Sequence, residues 1–269
     1  MLIRVGYDMR FKVADNVAMV VHLNVHPSRR MDLREPDQLQ LDPPVEIDQY
    51  TDSFGNEASR FVIPPGKVRL HNSTLIEDSG VPNWYDPQAQ EMPVERLPHD
   101  VLRYLLPSRY CQIDLLSNTA VELFGGAPKG AQRVQTICDW VQRNVTFGYQ
   151  FARPTRTALD VYTERVGVCR DFQHLAVTFC RCLNIPARYA TGYLGDIGVP
   201  AAGPGDFSAW FEAYLSDRWW TFDARYNTPR IGRVLIATGR DATDVAITTA
   251  FGNAVMLDFH VIADEVVAP

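Results

Sequence analysis

The sequence lacks any uninterrupted apolar run long enough to cross a membrane. None of its stretches approaches the roughly eighteen apolar residues that a transmembrane helix needs. The first twenty residues, MLIRVGYDMRFKVADNVAMV, also lack the apolar region and small-residue cleavage site of a secretory signal. The sequence therefore predicts a cytoplasmic protein with no membrane partner.

Basic clusters are also missing. The formal net charge is −6, and no run of Lys and Arg offsets it. Binding to nucleic acid requires a concentrated basic patch that neutralises phosphates, so a nucleic-acid partner is not expected. The hydrophobic content of 46% is that of a globular chain that can bury a core.

The five cysteines are an odd number in a chain too large to need disulfides, and no CxxC or HExxH spacing is present. Cys180 and Cys182 are two residues apart on a predicted helix, so they point in different directions and cannot share a metal ion. No metal, nucleotide or flavin signature is found, and we expect no cofactor. Four of the cysteines are predicted to be packing residues: Cys111, Cys138, Cys180 and Cys182.

The pattern along the chain changes near residue 90. Residues 1–90 contain short alternating and β-branched segments separated by Pro, Asp and Asn, which predicts an antiparallel β-sandwich. Residues 91–98 are a proline-containing linker. Helical periodicity and then further strands follow, so residues 91–269 are predicted to form one domain. The fold class is α+β, a β-sandwich followed by a mixed domain.

Cys169 is placed as a nucleophile would be. Apolar residues from Phe172 to Leu183 keep helical spacing, and Pro186 ends the helix, so Cys169 lies in its first turn. The helix dipole and Arg170 are expected to lower the thiol pKa below the usual value of roughly 8.5. The alternative is that Cys169 is a buried core thiol.

A β-hairpin follows in DFSAWFEAYLSDRWWTFDAR. A turn at Ser216 and Asp217 predicts pairs whose residue numbers sum to 433, with Ser208 and Asp223 diagonal neighbours on one face. Glu212 and Arg225 share this face; they either bind substrate or form a cross-strand ion pair, and the ion pair is the prediction we favour. A histidine at position 208 would be oriented by Asp223, but the chain has serine there.

These segments together resemble the bacterial transglutaminase-like superfamily. GVCRD, NIPARYATGY, SAWFE and WWTFD follow its GxCxD, GIPARxxxGY, HAWxE and WxxxD motifs in order over residues 130–226, with Asn in place of the first Gly of the second motif and Ser in place of His in the third. The resemblance implies a papain-like domain whose cysteine helix packs on an antiparallel sheet, preceded by the β-rich region that accompanies it in many bacterial members. It also implies that Cys169 is the nucleophile, that Asp223 is the orienting aspartate and that Ser208 stands at the position of the catalytic histidine.

Two functions remain open. The first is a thiol-dependent enzyme that acts on amide bonds of a protein or peptide, as a peptidase, deamidase or acyltransferase. The second is a catalytically impaired member that binds a peptide or a partner, because serine cannot act as the general base.

His174 is predicted to point away from the sulfur, and His260 reaches the site only if its strand borders the hairpin. The oligomeric state is not indicated.

Overall fold

The computed structural model describes residues 1–200 and 205–266, which contain antiparallel sheets and a small number of helices. The strands are β1 Leu2–Val13, β2 Val17–Val21, β3 Gln40–Asp42, β4 Asp48–Thr51, β5 Glu57–Ile63, β6 Gly66–Glu77, β7 Thr146–Phe147, β8 Val166–Gly167, β9 Ala187–Leu194, β10 Phe207–Leu215, β11 Arg218–Phe222, β12 Arg233–Gly239, β13 Thr248–Phe251 and β14 Ala254–Val266. The α-helices are α1 Ile113–Phe124, α2 Ala131–Asn144, α3 Ala158–Glu164 and α4 Cys169–Cys182. Short 3-10 segments cover Pro27–Asp32, Val94–Arg96, Leu102–Leu105 and Tyr149–Phe151.

Two four-stranded sheets form the N-terminal β-sandwich, in the orders β14-β1-β6-β3 and β13-β2-β5-β4. Alternate side chains of β1 and β2 point inward, and Ile3, Met9 and Met19 are completely buried. This period of two is the pattern that predicted strands in the sequence. The sandwich core is thus made from alternating residues of both sheets.

The last two strands belong to this sandwich. β14 pairs with β1, from Leu2 opposite Val266 to Val13 opposite Ala254, and β13 pairs with β2. We expected residues 91–269 to form one separate domain, but β13 and β14 pair with strands of the N-terminal sandwich. Nothing local in the sequence distinguishes a strand that pairs about 250 residues back from one that pairs with its neighbour, so the change of pattern near residue 90 does not reveal that the last strands return to the first sheets.

A third antiparallel sheet, in the order β11-β10-β9-β12, carries the cysteine helix. α4 packs on it through a cluster in which Phe172 and Phe179 from the helix join Phe211 and Phe222 from the strands. This arrangement confirms the predicted fold class.

The predicted apolar stripe of α2 is likewise buried: Val134, Ile137, Cys138 and Val141. Across the described ranges, no helix has the length and apolar character needed to span a bilayer.

Candidate active site

The β10–β11 hairpin has the predicted register. Phe211 pairs with Phe222 and Leu215 with Arg218, so paired residue numbers sum to 433. Ser216 and Asp217 form the turn with φ values of 47° and 61°. Left-handed conformations at both central residues are those of a tight hairpin turn, whose twist matches that of the strands. The register fixes which residues share a face with Ser208 and Asp223.

The first turn of α4 is built around Asp171. Its buried carboxylate accepts a hydrogen bond from the Val168 N–H at 3.0 Å. It also forms an ion pair with Arg170 at 3.1 Å. A Cβ atom on Gly167 would lie 2.7 Å from the Cβ of Asp171, so only glycine fits there. These contacts explain why the GVCRD segment starts the helix at Cys169.

Cys169 is partly exposed and packs against the core that continues into the N-terminal sandwich. Burial raises the pKa of its thiol to about 11, although the nearby Arg225 guanidinium and the Arg170 N–H oppose this shift. The expected low thiol pKa is therefore wrong for the free protein. Loss of solvation outweighs the helix terminus, and desolvation was not visible in the sequence.

Four groups bind the Asp223 carboxylate at the end of β11: the Gln173 side chain, two backbone N–H groups and the Arg233 guanidinium. The Oδ1 of Asp223 accepts hydrogen bonds from the Gln173 side chain at 3.0 Å and from the Arg225 and Tyr226 N–H groups at 2.9 and 3.2 Å. Gln173 also accepts a hydrogen bond from the Ala224 N–H at 3.1 Å. Gln173 lies one helical turn after Cys169, so it ties the cysteine helix to this carboxylate.

The other carboxylate oxygen of Asp223 is bound by Arg233. The two side chains are 7% and 3% exposed, and the Nη2–Oδ2 distance is 2.8 Å. Arg233 extends from β12 on the far side of the sheet, and its guanidinium lies 5.2 Å from the centre of the Trp210 ring. Gly192 and Ser208 face each other in the register between these strands, so the side chains along this path are small. Asp223 thus has an arginine partner.

Ser208 is buried in β10, and its hydroxyl has no hydrogen-bond partner among residues 1–200 and 205–266. It lines a cavity of about 300 Å³, which we name the hairpin cavity. Its walls include Tyr149, Asp206, Ser208, Arg225, Tyr226 and residues 260–264 of β14. Arg225 and Asp206 also act electrostatically on the Cys169 sulfur, so the cavity lies near the cysteine, although Cys169 is not itself among the residues that line it.

A second cavity, of about 360 Å³, is lined in part by Asp223. The segment that precedes the linker forms part of its wall through Asn83, Trp84 and Tyr85. Tyr85 stacks on Phe222 with a ring-centre distance of 4.6 Å. Asp223 thus borders this second cavity and is not among the residues that line the hairpin cavity.

The histidines do not replace the missing base. His174 is completely buried, its Nε2 accepts a hydrogen bond from the Ala242 N–H at 3.1 Å, and its ring stacks on Tyr110. Burial lowers the pKa of His174 to about 3. His260 is itself among the residues that line the hairpin cavity, but it is paired with Asp8 in the sheet, and the neighbouring Val261 is buried in the core. His260 therefore lies on the outer face of the sandwich.

The predicted ion pair between Glu212 and Arg225 is wrong. Glu212 pairs instead with Arg188 of the adjacent strand β9, with an Nε–Oε2 distance of 2.6 Å. Arg225 lies beyond the end of β11 and contacts the rings of Phe147 and Tyr226. The prediction considered only the hairpin, whereas β10 has a neighbour on each side.

Sequence reasoning assigned no role to three residues of this site. Gln173 carries a detectable signal, because it follows Cys169 by four residues on the same helix face. Asp206 precedes Ser208 by two residues and thus shares its strand face. Arg233 carries no such signal, since its contact with Asp223 depends on the order of the strands.

Within residues 1–200 and 205–266, no group of three or more His, Cys, Asp or Glu residues is arranged to hold a metal ion.

Comparison with known proteins gives consistent results. A sequence model of the transglutaminase-like superfamily matches residues 117–224. The chain is 35% identical over 216 residues to the uncharacterized protein ML0607 of Mycobacterium leprae, with 76% of this chain and 75% of that protein covered. It also resembles the crystal structure of a proposed cysteine protease from Cytophaga hutchinsonii, with a TM-score of 0.85 and 32% identity over 100% of this chain and 93% of that one.

Proposed function

Because the chain belongs to the transglutaminase-like superfamily, we propose that it is a thiol-dependent enzyme acting on amide or peptide bonds, with Cys169 as the nucleophile. The observation that carries this proposal is the position of the cysteine. Cys169 is the first residue of a well-buried helix, is itself partly exposed, and lies near Arg225, which lines the hairpin cavity. A residue that only packed would not need an exposed sulfur at a helix N-terminus.

The reaction proceeds by acyl transfer. The Cys169 thiolate attacks the amide carbonyl carbon, and the N–H of Cys169, which has no intrahelical partner, stabilises the oxyanion. The C–N bond then breaks, the leaving amine takes from water the proton that the thiol had released to it, and a thioester remains on Cys169. Water releases the acid in a peptidase or deamidase, and an amine releases a new amide in an acyltransferase.

A second candidate is a catalytically impaired protein that binds a peptide in the same cleft. The buried ion pair between Asp223 and Arg233 supports it, since this carboxylate is no longer free to orient a base. Ser208 supports it as well, because a serine hydroxyl cannot deprotonate a thiol at neutral pH. On this alternative the hairpin cavity binds its ligand without turnover.

A matched pair of cysteine variants separates the two candidates. Release of amine or ammonia from a library of amide peptides is measured for the wild type, Cys169→Ser and Cys182→Ser. The enzyme predicts activity in the wild type and in Cys182→Ser, and a loss of roughly 10³-fold or more in Cys169→Ser. Cys182 is the control because it is also partly exposed but lies at the far end of α4. Binding of peptides without Cys169-dependent turnover would favour the impaired protein.

A further inference from the structure

Arg225 differs from the other arginines around the site. Arg170, Arg230 and Arg233 form ion pairs with Asp171, Asp196 and Asp223. The guanidinium of Arg225 is half-buried and makes no hydrogen bond or ion pair with any residue in the described ranges 1–200 and 205–266. A partly buried guanidinium with unused N–H donors is costly unless a ligand supplies acceptors.

Two aromatic rings hold this guanidinium in place. Its central carbon lies 3.7 Å from the centre of the Phe147 ring and 4.5 Å from that of Tyr226. Stacking uses the flat surfaces of a guanidinium and leaves the N–H groups at its edge unused. Arg225 therefore presents a pre-organised fork of donors, the geometry that a carboxylate binds with two parallel hydrogen bonds.

The same contacts bring Arg225 close to the nucleophile. Phe147 of β7 pairs with Gly167 of β8, two residues before Cys169. Arg225 also lines the hairpin cavity and acts on the Cys169 sulfur more strongly than any other charged group. A ligand group bound by this arginine thus lies next to the reacting sulfur.

The acidic residues of the cavity leave this donor fork available. Asp196 is paired with Arg230 at 3.1 Å. Asp264 is exposed on β14, at the wall formed by the sandwich. Asp206 is the nearer acid, but within the described residues it has no oxygen within ion-pair distance of Arg225, and burial raises the pKa of its carboxyl. Its neighbours 201–204 carry no titratable side chain.

We infer that the hairpin cavity is a carboxylate subsite in which Arg225 anchors the substrate beside Cys169. The inference rests on the proposed function in that it takes Cys169 as the reacting group, and it names the substrate class. The substrate carries a free carboxylate near the scissile amide. The carboxylate comes from a peptide C-terminus or from an acidic side chain.

Two alkylating reagents of similar size test this subsite without any turnover. Iodoacetate carries a carboxylate next to its reacting carbon, whereas iodoacetamide is neutral. The ratio of their rates is measured at Cys169, at Cys182 and in N-acetylcysteine, for the wild type, Arg225→Gln and Arg225→Lys. Cys182 is a matched reference because burial raises its pKa to about 11, as for Cys169, while the charge of Asp114 acts on it.

The inference predicts that the iodoacetate-to-iodoacetamide ratio at Cys169 exceeds that of N-acetylcysteine by about tenfold or more. Arg225→Gln abolishes this preference, and Arg225→Lys keeps part of it because lysine retains the charge but not the fork. The ratio at Cys182 does not respond to either variant. A wild-type ratio at Cys169 equal to that of the free thiol, a preference that survives in Arg225→Gln, or no reaction with either reagent overturns the inference.

Protection experiments distinguish the two sources of the carboxylate. Trialanine with a free or an amidated C-terminus reports on a terminal carboxylate, and amidated Ala-Glu-Ala and Ala-Gln-Ala report on a side chain. In one of these two peptide pairs, we expect the peptide with the carboxylate to slow iodoacetamide labelling of Cys169 and the neutral peptide to leave it unchanged. Equal protection by the acid and the neutral peptide in both pairs contradicts the subsite. Since no step needs catalysis, this result is independent of whether Cys169 turns over an amide.

Discussion

The two halves of the candidate site have been built in different ways. In the nucleophile half, Gly167, Asp171 and the start of α4 place a partly exposed Cys169 at a helix N-terminus. In the partner half, Ser208 stands where the superfamily has histidine, and Asp223 is locked to Arg233. The first half places a cysteine where the proposed acyl transfer would use it, whereas the second contains a buried ion pair.

The difference shows that the cysteine helix and Asp223 can be held in place in a chain that has serine rather than histidine at position 208. A buried carboxylate needs a positive or hydrogen-bonding partner whether or not the site reacts. Where a histidine is absent, Arg233 from the far strand supplies that partner across Gly192 and Ser208. Activation of the thiol then depends on the charges nearest to it, of which Arg225 is the strongest.

Removal of Arg233 should have the largest effect on the partner half. Arg233→Met leaves the Asp223 carboxylate buried without its counter-ion and is expected to reduce the free energy of unfolding by about 3–5 kcal/mol. The double variant with Asp223→Asn should recover most of this loss. Urea unfolding measures both, with Arg30→Met as the control, since the exposed pair of Arg30 and Glu57 contributes less than about 1 kcal/mol. A loss no greater than that of the control would mean that the ion pair is not a structural element.

The pH dependence of Cys169 alkylation tests the nucleophile half. Because burial raises the thiol pKa to about 11, the thiol is protonated at neutral pH and the thiolate fraction grows as the pH rises. The rate with iodoacetamide should increase about tenfold per pH unit up to pH 10, and at pH 8 it should be roughly two orders of magnitude below that of an ordinary thiol of pKa near 8.5. A plateau at or below pH 8.5 would show that the helix terminus and Arg225 outweigh burial.

Gln173 joins the halves, and its removal should have an intermediate effect. Gln173→Met deletes two buried hydrogen bonds, to Asp223 and Ala224, and is expected to cost about 2 kcal/mol of unfolding free energy. The control Gln142→Met removes an exposed hydrogen bond to Tyr226 and should change stability by less than about 0.5 kcal/mol. Equal effects of the two variants would argue that α4 and the hairpin are held together by packing alone.

Restoring the histidine should have the smallest effect while Arg233 remains. Ser208→His alone is expected to leave amidase activity nearly unchanged, because Asp223 stays bound to Arg233. Combined with Arg233→Met, it should raise activity by about tenfold, below the 10²–10⁴-fold that a fully positioned base contributes. A comparable gain from the single variant would show that the ion pair yields readily to a histidine.

The sequence was most informative where interactions are local. The hairpin register followed from alternation and from the Ser216–Asp217 turn, and the stripe of α2 followed from helical spacing. The start of α4 at Cys169 followed from the apolar period and from Pro186. In each case the residues that determine the structure are within about twenty positions of one another.

Longer-range features were missed because their causes are distant in the chain. Pairing of β14 with β1 closes almost the whole chain on itself, and the contact of Arg233 with Asp223 depends on sheet order. Glu212 found its partner on β9, which the hairpin alone does not include. The thiol pKa of Cys169 depends on how many atoms surround it, and no local pattern reports this.

The most direct test of the account is to trap the acyl-enzyme. The wild type, Cys169→Ser and Cys182→Ser are incubated with p-nitrophenyl acetate at pH 9, digested and examined by mass spectrometry. The account predicts one acetyl group on the peptide that contains Cys169, in the wild type and in Cys182→Ser, and none on that peptide in Cys169→Ser. An unlabelled Cys169 in a protein that acetylates elsewhere, or no label at all, would contradict the assignment of Cys169 as the nucleophile.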